Sequence, residues 1–192
     1  MNNYEYIIAG LPEFQQDASK EAGIEVDDII AEIKEQCSGN DILTIDFLLS
    51  GFVPENLDRE FYQKALSHKD RFIREYFRFD LNLRNAKVGY INKALGRPLD
   101  MDRISFEDIG DFDEEAEAAA VLAISDLFER ERGLDTMYWK KAEDLVELDI
   151  LNLDIILSFI VKLNITGRWL KLDPETGKRL LRTMVEAIRK TR

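Results

Sequence analysis

The chain has 192 residues, of which 45% are hydrophobic, so it is long enough to bury the core of one large domain or of two small lobes. Its 38 acidic and 26 basic residues give a formal net charge of −12, which disfavours nucleic acid as a partner because a phosphate backbone would be repelled. The single cysteine, Cys37, excludes an intrachain disulfide and a cysteine-based metal cluster within one chain, and it is typical of a reducing compartment.

Targeting and membrane-spanning segments are not predicted. The apolar stretch near the N-terminus is too short for the centre of a signal peptide and has no basic flank. The richest apolar run, residues 151–163, is interrupted by polar residues and is shorter than the roughly 20 residues that a bilayer requires. We therefore expect a cytoplasmic protein.

The N-terminal part predicts a short apolar segment followed by a helix. Residues 4–11 are stopped by Pro12, and we expect them to be buried rather than mobile. An apolar helical period then starts at Asp27, where Asp27 and Asp28 supply an N-cap and a negatively charged first turn, and it ends near Gly39.

Two further helices are predicted before residue 69. The first is capped by Asn40 or Asp41, and apolar residues nearly all round it predict deep burial: Ile42, Ile45, Phe47, Leu48 and Leu49. The second is capped by Asn56 or Asp58. It either runs into the next helix or is separated from it by a turn around residues 67–68.

The central element is one long helix over residues 69–95, which contains no proline and would run about 40 Å. Spacings of three and four place its apolar residues on one stripe, widened by Ile73, Phe77 and Ile91: Phe72, Tyr76, Phe79, Leu83, Ala86 and Tyr90. So broad an apolar surface needs partners on more than one side. Residues 96–98, a glycine, an arginine and a proline, end the helix.

The second half predicts a connector and then more helices. Residues 100–112 form the connector, anchored by Met101, Ile104 and Phe106. An alanine-rich helix follows from Asp113 through Arg132, ended by Gly133.

Three helical patterns complete the chain. One begins at Asp135, and whether it continues through Asp149 or breaks there is open. The next covers residues 152–164 and is stopped by Gly167. A terminal helix opens at Asp173, with an apolar face formed by Leu180, Leu181, Met184, Val185 and Ile188. No alternating strand pattern occurs, so the predicted fold is all-α, a multi-helix bundle organised on the long helix.

Familiar catalytic and nucleotide-binding motifs are not found. The only histidine, His68, lies in a polar turn, where a capping or solvent-facing role is favoured over catalysis. Neither glycine-rich phosphate-binding motif occurs. Carboxylates between Glu107 and Glu117 could attract a hard cation such as calcium, but they lack the spacing of a calcium loop. A solvated connector with helix N-terminal charge is the favoured interpretation.

Polar residues on the long helix form a second candidate site. Asp80, Arg84 and Lys87 follow helical spacing and are flanked by Asn82 and Asn85. They favour a structural network over a functional contact, because buried charges must be paired. Both tryptophans, Trp139 and Trp169, are interpreted as core or interface anchors.

Four segments of the chain resemble a known bacterial family. They are YEYIIAGLP at 4–12, FDLNLRNAKVGYINKALG at 79–96, WKKAEDLVELDILNLDIILSFIVKLNI at 139–165 and RWLKLDPETG at 168–177. The family has no known biochemical function, its genes lie within V-type ATPase operons, and it is described as similar to the C-type adaptor subunit of that ATPase. The most specific parts are the LxLRN motif at 81–85 and the RWxxLD motif at 168–173.

The resemblance implies an all-helical adaptor without chemistry of its own. The C-type adaptor links the rotating central shaft of the ATPase to its membrane ring. Its lobes carry an aspartate and an asparagine followed by leucine, and this chain shows a weak echo of that pattern at 80–83 and at 149–153. We predict one all-helical domain over residues 1–192, within which residues 1–98 and 113–192 can form two lobes joined by the connector 99–112.

The predicted function is a non-enzymatic subunit or assembly factor of a bacterial V-type ATPase, peripheral to the inner membrane through that complex. Its partners would be central-shaft or membrane-ring subunits, and no cofactor or metal is predicted. The candidate contact residues are Asp80, Asn82, Arg84, Asn85, Lys87, Asp149, Asn152, Arg168 and Trp169. The alternatives are a metal- or small-molecule-binding helical regulator that uses the carboxylates of residues 107–117, and an enzyme built on Asp80, Arg84 and Asp149.

Overall fold

The computed structural model describes residues 4–11, 25–107, 109–146 and 152–171, with side chains as far as residue 169. These ranges contain eight α-helices, a 3-10 turn at Pro54–Asn56 and no strand, which confirms the all-α prediction. The helices are α1 (Tyr4–Gly10), α2 (Val26–Gln36), α3 (Gly39–Ser50), α4 (Arg59–Leu66), α5 (Arg71–Ala94), α6 (Glu115–Leu122), α7 (Leu127–Asp144) and α8 (Leu153–Lys171). No helix within the described ranges is both long enough and apolar enough to cross a membrane.

The long helix α5 is the centre of one half of the packing, as its stripe predicts. It contacts α4, α6 and α7, while α8 contacts α1, α2, α3 and α7. Its N-terminal turns are fully enclosed, because Phe72, Tyr76, Phe79 and Leu83 each expose at most 4% of their surface. Helix α7 contacts both α5 and α8 and thus joins the two sets of helices.

The distal end of α5 departs from the prediction that its stripe continues to the last turn. Tyr90 and Ile91 are exposed, at 39% and 53%. The connector returns along only one side of this end, where the Asn92 side chain donates a hydrogen bond to the Met101 carbonyl at 2.7 Å. The other side is therefore left uncovered within the described residues.

Two apolar clusters form the core. The larger one draws on α1 to α5, α7 and α8, and includes Tyr62, Phe77 and Leu157 among its most deeply buried side chains. The smaller one lies between α5, α6 and α7, and consists of Phe79, Leu83, Ala118, Leu122, Leu134 and Met137. The division into two lobes stays a prediction.

Helix starts match the sequence in part. Asp58 caps α4 and Asp70 caps α5, which confirms one of the two alternatives for α4 and shows a turn between these helices. The N-cap of α3 is Ser38, whose side chain and that of Asp41 bond each other's backbone N–H groups, so Asp41 lies inside the helix and Asn40 is not the cap. The N-cap position of α2 is Glu25, and Asp27 lies in its first turn.

Burial of the N-terminal helices is less complete than predicted. In α3, Ile45 and Leu48 are fully buried, whereas Ile42, Phe47 and Leu49 are half-buried. In α1, Ile7 is buried while its neighbour Tyr6 is 67% exposed. These helices therefore present one face to the core rather than their whole circumference.

Gly133 does not end the alanine-rich helix. That helix ends at Leu122, a new helix starts with Asp126 as its N-cap, and Gly133 lies within α7. A Cβ atom at position 133 would come within 2.8 Å of the Val121 Cγ1 atom. The glycine thus permits close packing between α6 and α7 and is not a helix stop.

Gly167 likewise lies inside α8 rather than ending it. A Cβ atom there would overlap the side chain of Val26 on α2. Gly96 does end a helix as predicted, because its φ of +65° allows the N–H groups of Gly96 and Arg97 to bond the carbonyls of Lys93 and Asn92. The predicted terminal helix from Asp173 lies outside the described residues.

Candidate interaction surfaces

Asp80 ties three helices together at the middle of the bundle. Its carboxylate on α5 accepts hydrogen bonds from the Tyr62 hydroxyl on α4 at 2.6 Å and from the Tyr138 hydroxyl on α7 at 2.8 Å. Hydrogen bonds to a charged group are stronger than neutral ones. The side chain therefore links the two helices that flank α5.

The electrostatics of this group follow from its enclosure. Burial raises the pKa of Asp80, against the opposing effects of its two tyrosine hydrogen bonds and of the charges on Arg84 and Lys87. Burial and the Asp80 charge also raise the pKa values of Tyr62 and Tyr138, so both hydroxyls remain protonated donors at neutral pH.

Asn85 clamps the connector to α5. Its amide nitrogen donates to the Ile104 carbonyl at 2.7 Å, and its amide oxygen accepts from the Ile104 N–H at 3.1 Å. Ile104 itself packs against the main core, as predicted, together with Phe106. Met101, the third predicted anchor, is 45% exposed, since the connector turns away from the core there.

The polar residues around these two groups are half-buried. They are Asn82, Arg84 and Lys87, all on α5. The structure thus brings Asp80 and Arg84 together with two tyrosines and places Asn85 on a separate contact. Asp149 lies outside the described residues, so the third member of the proposed enzyme site is not placed.

Arg168 and Trp169 converge on a buried carboxylate. Asp135 on α7 is only 2% exposed, and it accepts hydrogen bonds from the Arg168 guanidinium and from the Trp169 indole, the latter at 2.6 Å. Burial raises the pKa of Asp135, and the Arg168 charge opposes that shift. These candidate contact residues therefore hold α8 to α7.

Asn152 and Trp139 also have local partners. The Asn152 side chain accepts from the Asp154 N–H at 3.1 Å, next to the start of α8. The half-buried Trp139 indole donates to Glu143 at 3.0 Å, and the Lys162 ammonium lies 5.4 Å from its ring centre.

His68 occupies the turn between α4 and α5. Its Nδ1 atom accepts a hydrogen bond from the Asp70 N–H at 3.1 Å, and its ring stacks on Phe47 with 5.0 Å between centroids. Burial lowers its pKa. The helix rise of about 1.5 Å per residue sets Asp80 about 15 Å along the axis from Asp70, so this end of α5 is separate from the Asp80 group.

The acidic run does not form a cation site in the part of the chain that is described. Glu114 forms an ion pair with Lys141 at 2.7 Å, and Glu117 lies 3.9 Å from Lys140. No group of three or more His, Cys, Asp or Glu side chains in the described ranges has metal-binding geometry. Asp108 lies outside those ranges.

The end of α5 and the turn after it form an uncovered apolar surface that the sequence prediction missed. We call it the distal patch, and its members are between 39% and 58% exposed: Tyr90, Ile91, Leu95, Leu99 and Met101. Residues 84–103 around it include five basic and two acidic residues, in a chain that is strongly acidic overall. The available signal was the continuation of apolar residues past the point where the helix stops, on both sides of Gly96.

A second apolar surface is an open groove between the start of α7 and the end of α8. It has a volume of about 600 Å³ and is lined by Asp126, Leu127, Phe128, Glu131, Arg168 and Trp169. The Phe128 and Trp169 rings meet edge to face with centroids 5.1 Å apart, while Leu127 and Phe128 are 63% and 53% exposed. We call this the α7–α8 groove.

Comparison with known families places most of this architecture in one of them. Residues 53–192 match the family described as "Protein of unknown function (DUF2764)". The chain belongs to the DUF2764 family. The match covers the Asp80 group, the distal patch and the α7–α8 groove, whereas α1, α2 and α3 precede it. No curated protein and no solved structure gives a significant match.

Proposed function

We propose that this DUF2764 protein is a non-enzymatic subunit or assembly factor of a bacterial V-type ATPase, and that it binds a shaft or ring protein of that complex through its distal patch. The support from sequence is the resemblance carried by the LxLRN and RWxxLD motifs. The support from structure is an all-helical architecture with one long helix whose end is left uncovered within the described residues.

The motif residues themselves favour an internal role. Asn85 of LxLRN holds the connector, and Arg168 of RWxxLD holds the buried Asp135. Side chains committed to such contacts are poor candidates for binding another protein, because each would first have to give up its partner. The contact surface is therefore better sought where apolar area is exposed.

The distal patch carries the proposal. Its five apolar residues adjoin one another along the end of α5 and the turn at residues 95–102, and contiguous apolar area on a protein surface marks an interaction site. The basic side chains that accompany it include Lys93, Arg97 and Arg103, all exposed. The fitting partner is a protein surface with an apolar centre and acidic residues around it.

The expected partner also sets the location. The protein would lie at the cytoplasmic face of the inner membrane and would be held there by the ATPase complex. The acidic character of the whole chain opposes direct adsorption to anionic lipid, so the contact is with protein.

Co-purification from native membranes tests the proposal. A tagged full-length chain expressed at its normal level should bring down ATPase subunits in mild detergent, well above an untagged control. The Leu95→Asp variant should recover far less, because it places a charge at the centre of the patch. A matched Leu43→Asp variant, at a 66% exposed leucine on α3, should recover as much as the wild type. Absence of ATPase subunits from the wild-type sample contradicts the proposal.

A further inference from the structure

The α7–α8 groove is too apolar to be explained by the contacts that line it. Leu127 and Phe128 are the first two residues of α7, and both expose more than half of their surface. Asp126 and Glu131 add negative charge to the same lining. A ligand that suits the groove therefore combines apolar side chains with positive charge.

The C-terminal residues of the chain have this chemistry. Residues 172–192 lie outside the described part of the chain, and their sequence contains six basic and three acidic residues. The spacing of the apolar residues places them on one side of a helix: Leu180, Leu181, Met184, Val185 and Ile188. An isolated helix of this length has little stability in water unless that face is covered.

Chain geometry allows the two to meet. Trp169 lines the groove and lies only three residues before Leu172. The six residues 172–177 reach at most about 20 Å when extended, and they contain Pro174 and Gly177, which suit a reversal of direction. Residues 178–189 would then form a helix about 18 Å long.

We propose that residues 172–192 fold back on their own chain and cover the α7–α8 groove with the apolar face of an amphipathic helix. The basic side chains of the segment lie near Asp126 and Glu131. The groove is thus an internal docking site, distinct from the distal patch, and the proposal does not depend on the V-type ATPase assignment.

Tryptophan fluorescence tests the segment side of the contact. With Trp139→Phe as background, Trp169 is the only tryptophan in the full-length chain. Placing a charge on the apolar face with Leu181→Asp should shift the Trp169 emission to longer wavelength and raise its acrylamide quenching constant by a factor of about two or more. Thr183→Asp adds the same charge on the opposite face and should leave both unchanged. An unchanged quenching constant in Leu181→Asp overturns the proposal.

Limited proteolysis tests the groove side independently. Trypsin cleavage in a docked segment follows the population of its open form. The Leu127→Asp variant should therefore be cut faster at Arg179 and Arg182, while Leu43→Asp, also at an exposed leucine, should be cut at the wild-type rate. Circular dichroism shows that each variant is folded. Equal cleavage of Leu127→Asp and wild type overturns the proposal.

Dilution separates this arrangement from exchange between two copies. Quenching of Trp169 in the otherwise unaltered single-tryptophan chain should be constant over a hundredfold range of protein concentration, since contact within one chain has no concentration dependence. Protection that is lost on dilution would mean that a second copy supplies the segment, which overturns the proposal.

Discussion

The Asp80 carboxylate on α5 accepts a hydrogen bond from the Tyr138 hydroxyl on α7, 58 residues further along the chain. The Tyr62 hydroxyl, 18 residues earlier, donates to the other oxygen of the same carboxylate. One acidic side chain therefore sets the relative position of three helices. Its removal would leave two tyrosine hydroxyls without their acceptor.

We expect Asp80→Ala to lower the free energy of unfolding by about 1–3 kcal/mol, the cost of leaving enclosed polar groups unpaired. Asp80→Asn should cost less, because its amide oxygen still accepts one hydrogen bond and a reoriented tyrosine hydroxyl can accept another. Urea unfolding followed by circular dichroism measures both values. An alanine variant as stable as the wild type would show that these hydrogen bonds contribute nothing.

The same residue should shape the pH dependence of stability. Burial raises the pKa of Asp80 in the folded chain, so the fold binds this proton more tightly than the unfolded chain does. Its stabilising contribution is then complete below about pH 3.9, the ordinary aspartate pKa, and is lost as pH rises through the folded pKa. Asp80→Asn removes this titration.

Unfolding free energies of wild type and Asp80→Asn, compared at about pH 4 and about pH 7, measure this effect. The wild type should gain relative to the variant at the lower pH. Asp135, whose pKa is also raised, is present in both proteins and cancels in the difference. A wild type that instead loses ground on acidification would mean that the folded pKa of Asp80 lies below its unfolded value.

The close approach of α6 and α7 gives a double-mutant prediction. Gly133→Ala should improve helix propensity by about 1 kcal/mol, but its Cβ would meet the stiff Val121 side chain. Overlap of this kind costs about 1–3 kcal/mol, so we expect net destabilisation. Val121→Ala in the same chain should relieve the overlap and recover the propensity gain.

Thermal and urea unfolding of both single variants and the double variant give the coupling energy. We expect it to be at least about 0.5 kcal/mol, in the direction of mutual rescue. Strictly additive effects would mean that α6 moves aside at no cost and that Gly133 has no packing role.

Asn85 offers a local test of the connector. Asn85→Ala should lower the unfolding free energy by about 1–2 kcal/mol, since both backbone groups of Ile104 lose their partner. Amide hydrogen exchange should accelerate at Ile104 in particular. Asn82→Ala, the same change three residues earlier on α5, is the control and should leave the Ile104 exchange rate as in the wild type.

Local features of the fold were readable from the sequence, and contacts between distant segments were not. The caps at Asp58 and Asp70 and the stop at Gly96 depend on neighbouring residues, so short-range patterns predict them or their surroundings. Gly133 and Gly167 have the same composition signal as a stop. Their role depends on Val121 and Val26, which lie elsewhere in the sequence.

The same limit applies to the candidate surfaces. Periodicity placed Tyr90 and Ile91 on the apolar stripe of α5, but it could not show where the partner helices of that stripe end. Likewise, the motif residues Asn85 and Arg168 could be recognised by type, yet their partners Ile104 and Asp135 are known only from the fold.

The direct test of the central claim is the affinity of the purified full-length chain for detergent-solubilised V-type ATPase, measured by interferometry. We expect saturable binding that weakens as ionic strength rises, because the distal patch is basic. Leu95→Asp should weaken it at least tenfold, equivalent to about 1.4 kcal/mol, and Leu43→Asp should not. Equal affinity of Leu95→Asp and wild type, or no saturable binding of either, would contradict the account.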